Sequence, residues 1–151
     1  MVSLLEERAE EPKSKRLRYA VSAVALLLFL GFWVWRSMRY VSEEHTIDHF
    51  MDAVSAGNFQ LAYQIWKPHQ GTSYTFQDFL ADWGDKGYYG PLKSYRREAA
   101  SEPRNGGSGV IVTVEISPYH PFPTNSDPQS GRNREVKLWV ERSDLSISFP
   151  P

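Results

Sequence analysis

Cysteine is absent from the 151 residues of this protein, and neither sign of charge dominates it. The lack of thiols excludes a disulfide framework, a thiolate zinc site and a cysteine nucleophile. Seventeen Lys and Arg against eighteen Asp and Glu leave a net charge of −1, so no overall positive field would attract nucleic acid. Nucleic acid is therefore not predicted as a partner.

The short motifs of common nucleotide-binding and hydrolytic enzymes are also missing. The sequence contains no Gly-x-Ser-x-Gly elbow, no phosphate-binding loop and no dinucleotide fingerprint. Its glycine-rich segment, Gly106-Gly107-Ser108-Gly109, lies between two predicted strands rather than before a helix, which is typical of a hairpin turn. The sequence therefore does not predict an enzyme, and it predicts no cofactor.

One long apolar run lies near the N-terminus. Residues 19–35 are 17 consecutive residues without a charge, which is about 26 Å of α-helix, and Leu17 and Met38 extend it toward the roughly 30 Å of a bilayer core. Aromatic residues mark both ends, as at membrane interfaces. A buried core helix and a cleaved signal peptide are the alternatives, but the run is apolar on every face and no Ala-x-Ala-like site follows it. We predict a retained single-pass signal-anchor over residues 19–38.

The orientation follows from the basic residues that flank this span. Four precede it and two follow it: Lys13, Lys15, Arg16 and Arg18, then Arg36 and Arg39. By the positive-inside rule, the N-terminus is cytoplasmic and the C-terminal domain is extracytoplasmic, on the periplasmic side of an inner or plasma membrane. Residues 1–18 mix these bases with four glutamates and are predicted to be a disordered polar tail.

Residues 43–151 are predicted to fold as one extracytoplasmic domain that starts with helices. Ser42 followed by two glutamates indicates a helix start that ends at Gly57, although a helix continuous with the membrane span is the competing interpretation. Asn58 caps a second helix that Pro68 ends, and Thr75 with Asp78 starts a third that Gly84 closes.

From Leu92 onward the apolar residues alternate, which indicates strands. The predicted strands are residues 92–100, 110–117, 136–141 and 145–149, with a proline-containing loop of about 16 residues before the third. Helices followed by consecutive antiparallel strands predict an α+β fold, in which two or three helices cover a sheet of three to four strands.

The start of this domain resembles the nuclear-transport-factor-2-like (cystatin-like cone) superfamily. Its opening, Phe-x-x-Ala-x-x-x-Gly-Asp/Asn-x-x-x-Ala-Tyr, is matched by Phe50, Ala53, Gly57, Asn58, Ala62 and Tyr63. The resemblance covers about residues 43–149 and implies a curved sheet that wraps into a cone. The superfamily contains enzymes, ligand carriers and interaction modules, so the fold does not settle the function.

The most suggestive set of titratable residues lies on the first domain helix. His45, Asp48, His49 and Asp52 share one helix face by their spacing. Two imidazoles four residues apart, with a carboxylate, can bind zinc. The alternative is a solvated polar face opposite the apolar one, and no distant further ligand is evident, so no metal site is predicted.

Two further clusters have a functional and a plain interpretation. Asp78, Asp82 and Asp85 with nearby aromatics could line a pocket for acid–base chemistry, or could be surface carboxylates. Lys93, Arg96, Arg97 and Arg104 could bind an anionic partner, or could form a solvated sheet face. In both cases we favour the plain interpretation.

Aromatic residues make up 14% of the sequence, and some of them must fill the small core. The candidates for an interface are residues in loops or on the polar phase of a strand: Tyr88, Tyr89, Tyr119, Phe122 and Trp139. The sequence thus predicts a membrane-anchored interaction domain, a subunit or assembly factor of a membrane protein complex. The alternative is a membrane-tethered carrier of a small apolar ligand inside the cone.

Overall fold

A computed structural model describes residues 13–66 and 73–150 of the protein. These residues form two compact units, which divide between Arg39 and Tyr40. The predicted helix end at Pro68 lies outside the described residues.

The first unit contains helix α1, Lys13–Met38. It begins before the apolar run, so part of the segment predicted as tail is helical, as the helix-forming Lys and Arg side chains there allow. At 26 residues it is about 39 Å long, and every residue from Tyr19 to Met38 is exposed. Among the described residues this is one helix with the length and composition to cross a membrane.

The second unit opens with α2, Val41–Ser55, after an interruption of the helix at Arg39 and Tyr40. The prediction of Ser42 as N-cap is wrong. The Tyr40 carbonyl accepts the first helical hydrogen bond from the Glu44 N–H at 2.9 Å, which places Ser42 inside the first turn.

The predicted end of α2 at Gly57 is confirmed. Gly57 has φ 73°, a left-handed conformation that glycine adopts without strain. The N–H groups of Gly57 and Asn58 then donate to the carbonyls of Val54 and Ala53, both at 2.9 Å. This Schellman arrangement satisfies the last carbonyls of the helix.

The next two helices are capped by the side chains that the sequence indicates. Asn58 Oδ1 accepts from the Leu61 N–H at 3.2 Å at the start of α3, Phe59–Trp66. Thr75 and Asp78 form a complete capping box at the start of α4, Phe76–Trp83, and Gly84 is its C-cap.

Four strands form one antiparallel sheet in the order β1-β2-β3-β4. They are β1, Ser94–Ser101, β2, Gly109–Ser117, β3, Arg134–Glu141, and β4, Ile147–Ser148. A short 3-10 helix, Pro128–Arg132, interrupts the loop before β3. The α+β prediction is confirmed, with four strands.

The sheet is uncurled, and the curved sheet implied by the resemblance is not observed. Curving a sheet into a cone requires bulges in its strands. Here β2 and β3 pair without interruption, and β1 has one irregularity, between Arg97 and Ala99. The fourth strand is two residues long rather than the predicted five. A strand this short adds little to the curvature of the sheet.

The core lies between one face of the sheet and the helices. Alternate residues of β2 and β3 are buried, as their period of two predicts, and α2 covers them with its apolar side. Aromatic rings fill the rest of the space, with Phe50 lying 5.1 Å from Trp83 and 5.4 Å from Trp66, centroid to centroid. Much of the unusual aromatic content is therefore core.

Candidate functional site

Tyr88 and Tyr89, in the loop between α4 and β1, have different surroundings. The Tyr89 ring is half-buried and stacks on Trp83 at 4.7 Å and on Phe149 at 5.7 Å. Tyr88 is 66% exposed and, with Val41, is one of two large hydrophobic residues exposed in the described part of the second unit. Of these two rings, that of Tyr88 is therefore the one that is largely open to solvent.

Tyr119 and Phe122 belong to the loop that leaves β2, at the same end of the sheet. The Tyr119 carbonyl accepts from Ser94 Oγ at 2.5 Å, and the Phe122 ring lies 5.1 Å from the Arg96 guanidinium carbon. Both rings are half-buried. The Tyr119 backbone and the Phe122 ring thus both contact β1, and part of each ring is open to solvent.

Trp139 lies on the outer face of the sheet, away from the helices, and is half-buried rather than exposed. Its indole covers the glycine-rich turn: a Cβ added to Gly109 would lie 2.3 Å from Trp139 Cε2, and one added to Gly107 would lie 2.5 Å from Cη2. The glycines therefore make room for the ring. The structure places Trp139 at the opposite end of β3 from the tyrosines, so the five aromatics do not form one surface.

A cleft of about 360 Å³ opens beside Tyr89, where β1 begins, β2 ends and β3 begins. Its walls include Ile116, Pro91 and Pro118, and its charged residues are Arg132 and Arg134. The Arg134 guanidinium stacks over the Tyr88 ring at 4.5 Å and lies 5.5 Å from the Tyr89 ring. Arg134 also donates a hydrogen bond to the Tyr88 carbonyl.

Sequence reasoning missed this cleft and its arginines. Arg134 is the first residue of β3, and its partner tyrosines lie more than forty positions earlier in the sequence. Only the antiparallel topology brings these segments together. Gly87, Gly90 and Pro91 around Tyr88 and Tyr89 were the one local signal, since these residue types indicate a loop rather than a helix.

The four polar residues of α2, His45, Asp48, His49 and Asp52, have separate contacts and do not form one site. Asp48 pairs with Arg97 of β1, and Asp52 accepts a hydrogen bond from the Tyr95 hydroxyl at 2.8 Å. His45 and His49 are exposed beside a separate cleft of about 260 Å³. Within the described residues no group of three or more ligating side chains could hold a metal ion.

Asp48 and Asp52 therefore make a helix-to-sheet contact, whereas His45 and His49 of the same helix face are exposed, as the plain interpretation expects. Burial of the ring, and then its hydrogen bond to Asp52, raises the pKa of Tyr95 far above its ordinary value of 10.0. The neutral phenol that donates to the carboxylate is stabilised by this contact. Periodicity identified the face, but could not show that β1 lies against it.

The aspartates of α4 have structural contacts. Asp78 belongs to the capping box, and hydrogen bonds from Thr75 lower its pKa. Asp82 accepts from the Tyr74 hydroxyl at 2.7 Å, while burial and this bond raise the pKa of Tyr74. Asp85 is exposed in the turn after the helix. No pair of carboxylates is assembled among these described residues for acid–base chemistry.

The two arginines of β1, Arg96 and Arg97, contact different elements, and each is paired with carboxylates. Arg96 pairs with Glu98 and Glu115, both at 2.7 Å, whereas Arg97 turns to α2 and pairs with Asp48 and with Glu44. Lys93 and Arg104 are exposed at opposite ends of the strand region. These four residues do not form one cationic surface.

Comparison with known proteins gives no relative: no family model, no curated protein and no solved structure matches the sequence.

Proposed function

We propose that the protein is a single-pass membrane protein whose C-terminal domain, residues 40–151, is an interaction module of a membrane protein complex. The observation that carries the proposal is α1, a helix of 26 residues whose apolar side chains from Tyr19 to Met38 are exposed throughout. A helix that is apolar on all sides is unfavourable in water and stable in a bilayer.

The end of α1 has the chemistry of a membrane interface. Phe32 and Trp35 are in ring contact at 6.2 Å, and the Arg39 guanidinium lies 5.3 Å from the Trp35 ring. Aromatic rings and arginines are the residues that anchor a span at the headgroup level. With more basic residues before the span than after it, the proposal places the domain on the extracytoplasmic side.

The packed interior supports an interaction module rather than a ligand carrier. A carrier needs an apolar cavity, but the space between helices and sheet holds Phe50, Trp66, Phe79 and Trp83, each at most 4% exposed. Of the described clefts, one lies at the margin of the sheet, one on its outer surface and one beside α2 and α3, and none is lined by these four aromatic residues. The relation to the cone superfamily stays a prediction.

The proposed contact surface is the sheet end that carries Tyr88. Tyr and Arg are among the residue types that contribute most at protein interfaces, and Tyr88 with Arg134 stacked on it presents both. Trp139, at the other end of β3, is the second candidate. It is half-buried on the turn glycines, so less of its ring is free for a partner.

The test is affinity isolation of the tagged full-length protein from membranes in a mild detergent, with identification of the proteins that accompany it. Tyr88→Ala should reduce their recovery, since an exposed aromatic at an interface contributes about 2 kcal/mol or more. Trp139→Ala, in parallel, tests the other end of the sheet. His45→Ala combined with His49→Ala is the matched control and should leave recovery unchanged.

A shortened protein separates the domain from its anchor. If residues 1–39 alone recover the same companions as the full-length protein, the domain is not the interacting part and the proposal is wrong. If the companions require residues 40–151 and are lost in Tyr88→Ala, the proposal and its surface are both supported.

A further inference from the structure

The cleft beside Tyr89 is positively charged and has no acidic residue among its described wall residues. Arg132 and Arg134 are its charged wall residues, and the other walls include Ile116, Pro91 and Pro118. Elsewhere on the sheet, the arginines have carboxylate partners: Arg96 and Arg97 as described, and Arg142 with Glu102 at 2.9 Å and with Glu43 at 3.4 Å. Arg132 and Arg134 have no such partner among the described residues.

Arg134 is held in position without neutralisation of its charge. Its Nη1 donates to the Tyr88 carbonyl, and its guanidinium carbon lies over the Tyr88 ring at 4.5 Å and 5.5 Å from the Tyr89 ring. Among the described residues no carboxylate lies within ion-pair distance of it or of Arg132. A guanidinium fixed by stacking retains free N–H donors in a planar fork, the geometry that matches a carboxylate.

A buried hydroxyl adds a polar group to the same cleft. Ser117 is 1% exposed and lines the cleft wall. Its Oγ accepts a hydrogen bond from the Tyr119 N–H at 3.3 Å, and its own proton has no acceptor in the described part of the protein. Buried hydroxyl protons are normally bonded, and this one has no acceptor among the described residues of the cleft wall.

We propose that this cleft binds a small organic carboxylate, with the carboxylate on Arg134 and Arg132 and an apolar body against Ile116, Pro91 and Pro118. The volume of about 360 Å³ suits a compact ligand, since small-molecule sites begin at about 300 Å³. The apolar walls favour a carboxylate with a hydrocarbon or aromatic body over a bare inorganic anion. The site shares Arg134 with the proposed contact surface but goes beyond partner binding, and the titration below tests it without any partner protein.

The experiment is a titration of the full-length protein in nanodiscs of zwitterionic lipid, followed by ligand-observed NMR, with empty nanodiscs as background. The probes are phenylacetate, its neutral analogue phenylacetamide, and N-acetylphenylalanine, whose carboxylate resembles the C-terminus of a peptide. Phenylacetate should bind saturably, and phenylacetamide should bind at least about tenfold more weakly, because it lacks the charge that pairs with arginine.

Variants assign the binding to the cleft. Arg134→Gln should weaken phenylacetate binding by about tenfold or more, and Arg132→Gln should weaken it by a smaller factor. Arg132 is exposed and makes no ion pair with the described residues, so Arg132→Gln should leave the fold intact. This variant keeps the test valid if Arg134→Gln alters the loop. Arg104→Gln, at the far hairpin, is the matched control and should stay within about twofold of the unchanged protein.

Two binding results support the proposal and identify the source of the carboxylate. Equal affinity for both carboxylates indicates a free organic acid, whereas a preference of at least about tenfold for N-acetylphenylalanine indicates the C-terminus of a polypeptide. The proposal is overturned if neither carboxylate binds saturably, if phenylacetamide binds as well as phenylacetate, or if both arginine variants bind like the unchanged protein.

Discussion

Replacement of Trp66 by alanine tests whether the aromatic cluster is the main source of stability of the domain. Trp66 is 4% exposed, and the surrounding rings lie 5.2 to 6.0 Å from it: Phe149, Phe50, Tyr74, Phe79 and Trp83. A Trp side chain buries roughly 200 Å², which at about 25 cal/mol per Å² corresponds to about 5 kcal/mol. The rigid neighbouring rings cannot collapse into the cavity, so we expect a loss near the upper end of the roughly 3 to 5 kcal/mol typical of Trp→Ala.

The assay is urea unfolding of residues 40–151, which form a compact unit of their own, followed by far-UV circular dichroism. Trp139→Ala is the control, since this half-buried ring should contribute only about 2 kcal/mol. A single cooperative transition is expected for the unchanged fragment. Two results would contradict this expectation: a loss of unfolding free energy in Trp66→Ala no larger than in Trp139→Ala, or no cooperative transition in the unchanged fragment.

Three further predictions follow from the helix, the helix-to-sheet contact and the glycine turn. Arg in place of both Leu27 and Leu28 should prevent membrane insertion, at about 2.5 to 3.5 kcal/mol per charge at mid-span; recovery of this variant in the membrane fraction would contradict the span. The pKa of Tyr95 is raised above its ordinary 10.0, so the folded domain retains this proton while the unfolded polypeptide loses it, and stability should fall as pH rises above about 10. Tyr95→Phe should make that fall shallower in urea titrations, and an identical slope would refute the linkage. Gly109→Ala should cost about 1 to 3 kcal/mol through overlap with Trp139, and Trp139→Ala should relieve that cost in a double-mutant cycle, whereas additive losses would show that the ring is not responsible.

Local chemistry in the sequence was sufficient to predict most element boundaries. The caps at Asn58 and Thr75 and the stop at Gly57 depend on a side chain or a backbone conformation within a few residues, and all three are confirmed. The cap predicted at Ser42 is wrong, because the helix begins at Val41 with Tyr40 as its N-cap and uses no side-chain cap. The fourth strand is shorter than its alternation indicates, since it pairs with β3 over two residues only.

The candidate sites depended on which elements meet, and sequence periodicity could not supply this. Spacing placed Asp48 and Asp52 on one helix face, but only the fold shows that β1 lies against it and engages both carboxylates. The cleft with Arg134 combines segments that are distant in the sequence. The packing of Trp139 on the turn glycines is likewise a cross-strand feature, whereas alternation alone indicated exposure.

The most direct test of the account is the membrane topology of the full-length protein. Because the sequence contains no cysteine, each introduced cysteine is the single labelling site. Single cysteines are placed at Ser3, before the span, and at Arg104, an exposed residue of the β1–β2 hairpin, and are labelled with a membrane-impermeant maleimide in intact cells and after permeabilisation. We predict that the protein stays in the membrane after carbonate extraction, that Arg104→Cys is labelled in intact cells, and that Ser3→Cys is labelled only after permeabilisation. Extraction of the protein by carbonate, or labelling of Ser3→Cys but not Arg104→Cys in intact cells, would contradict the account.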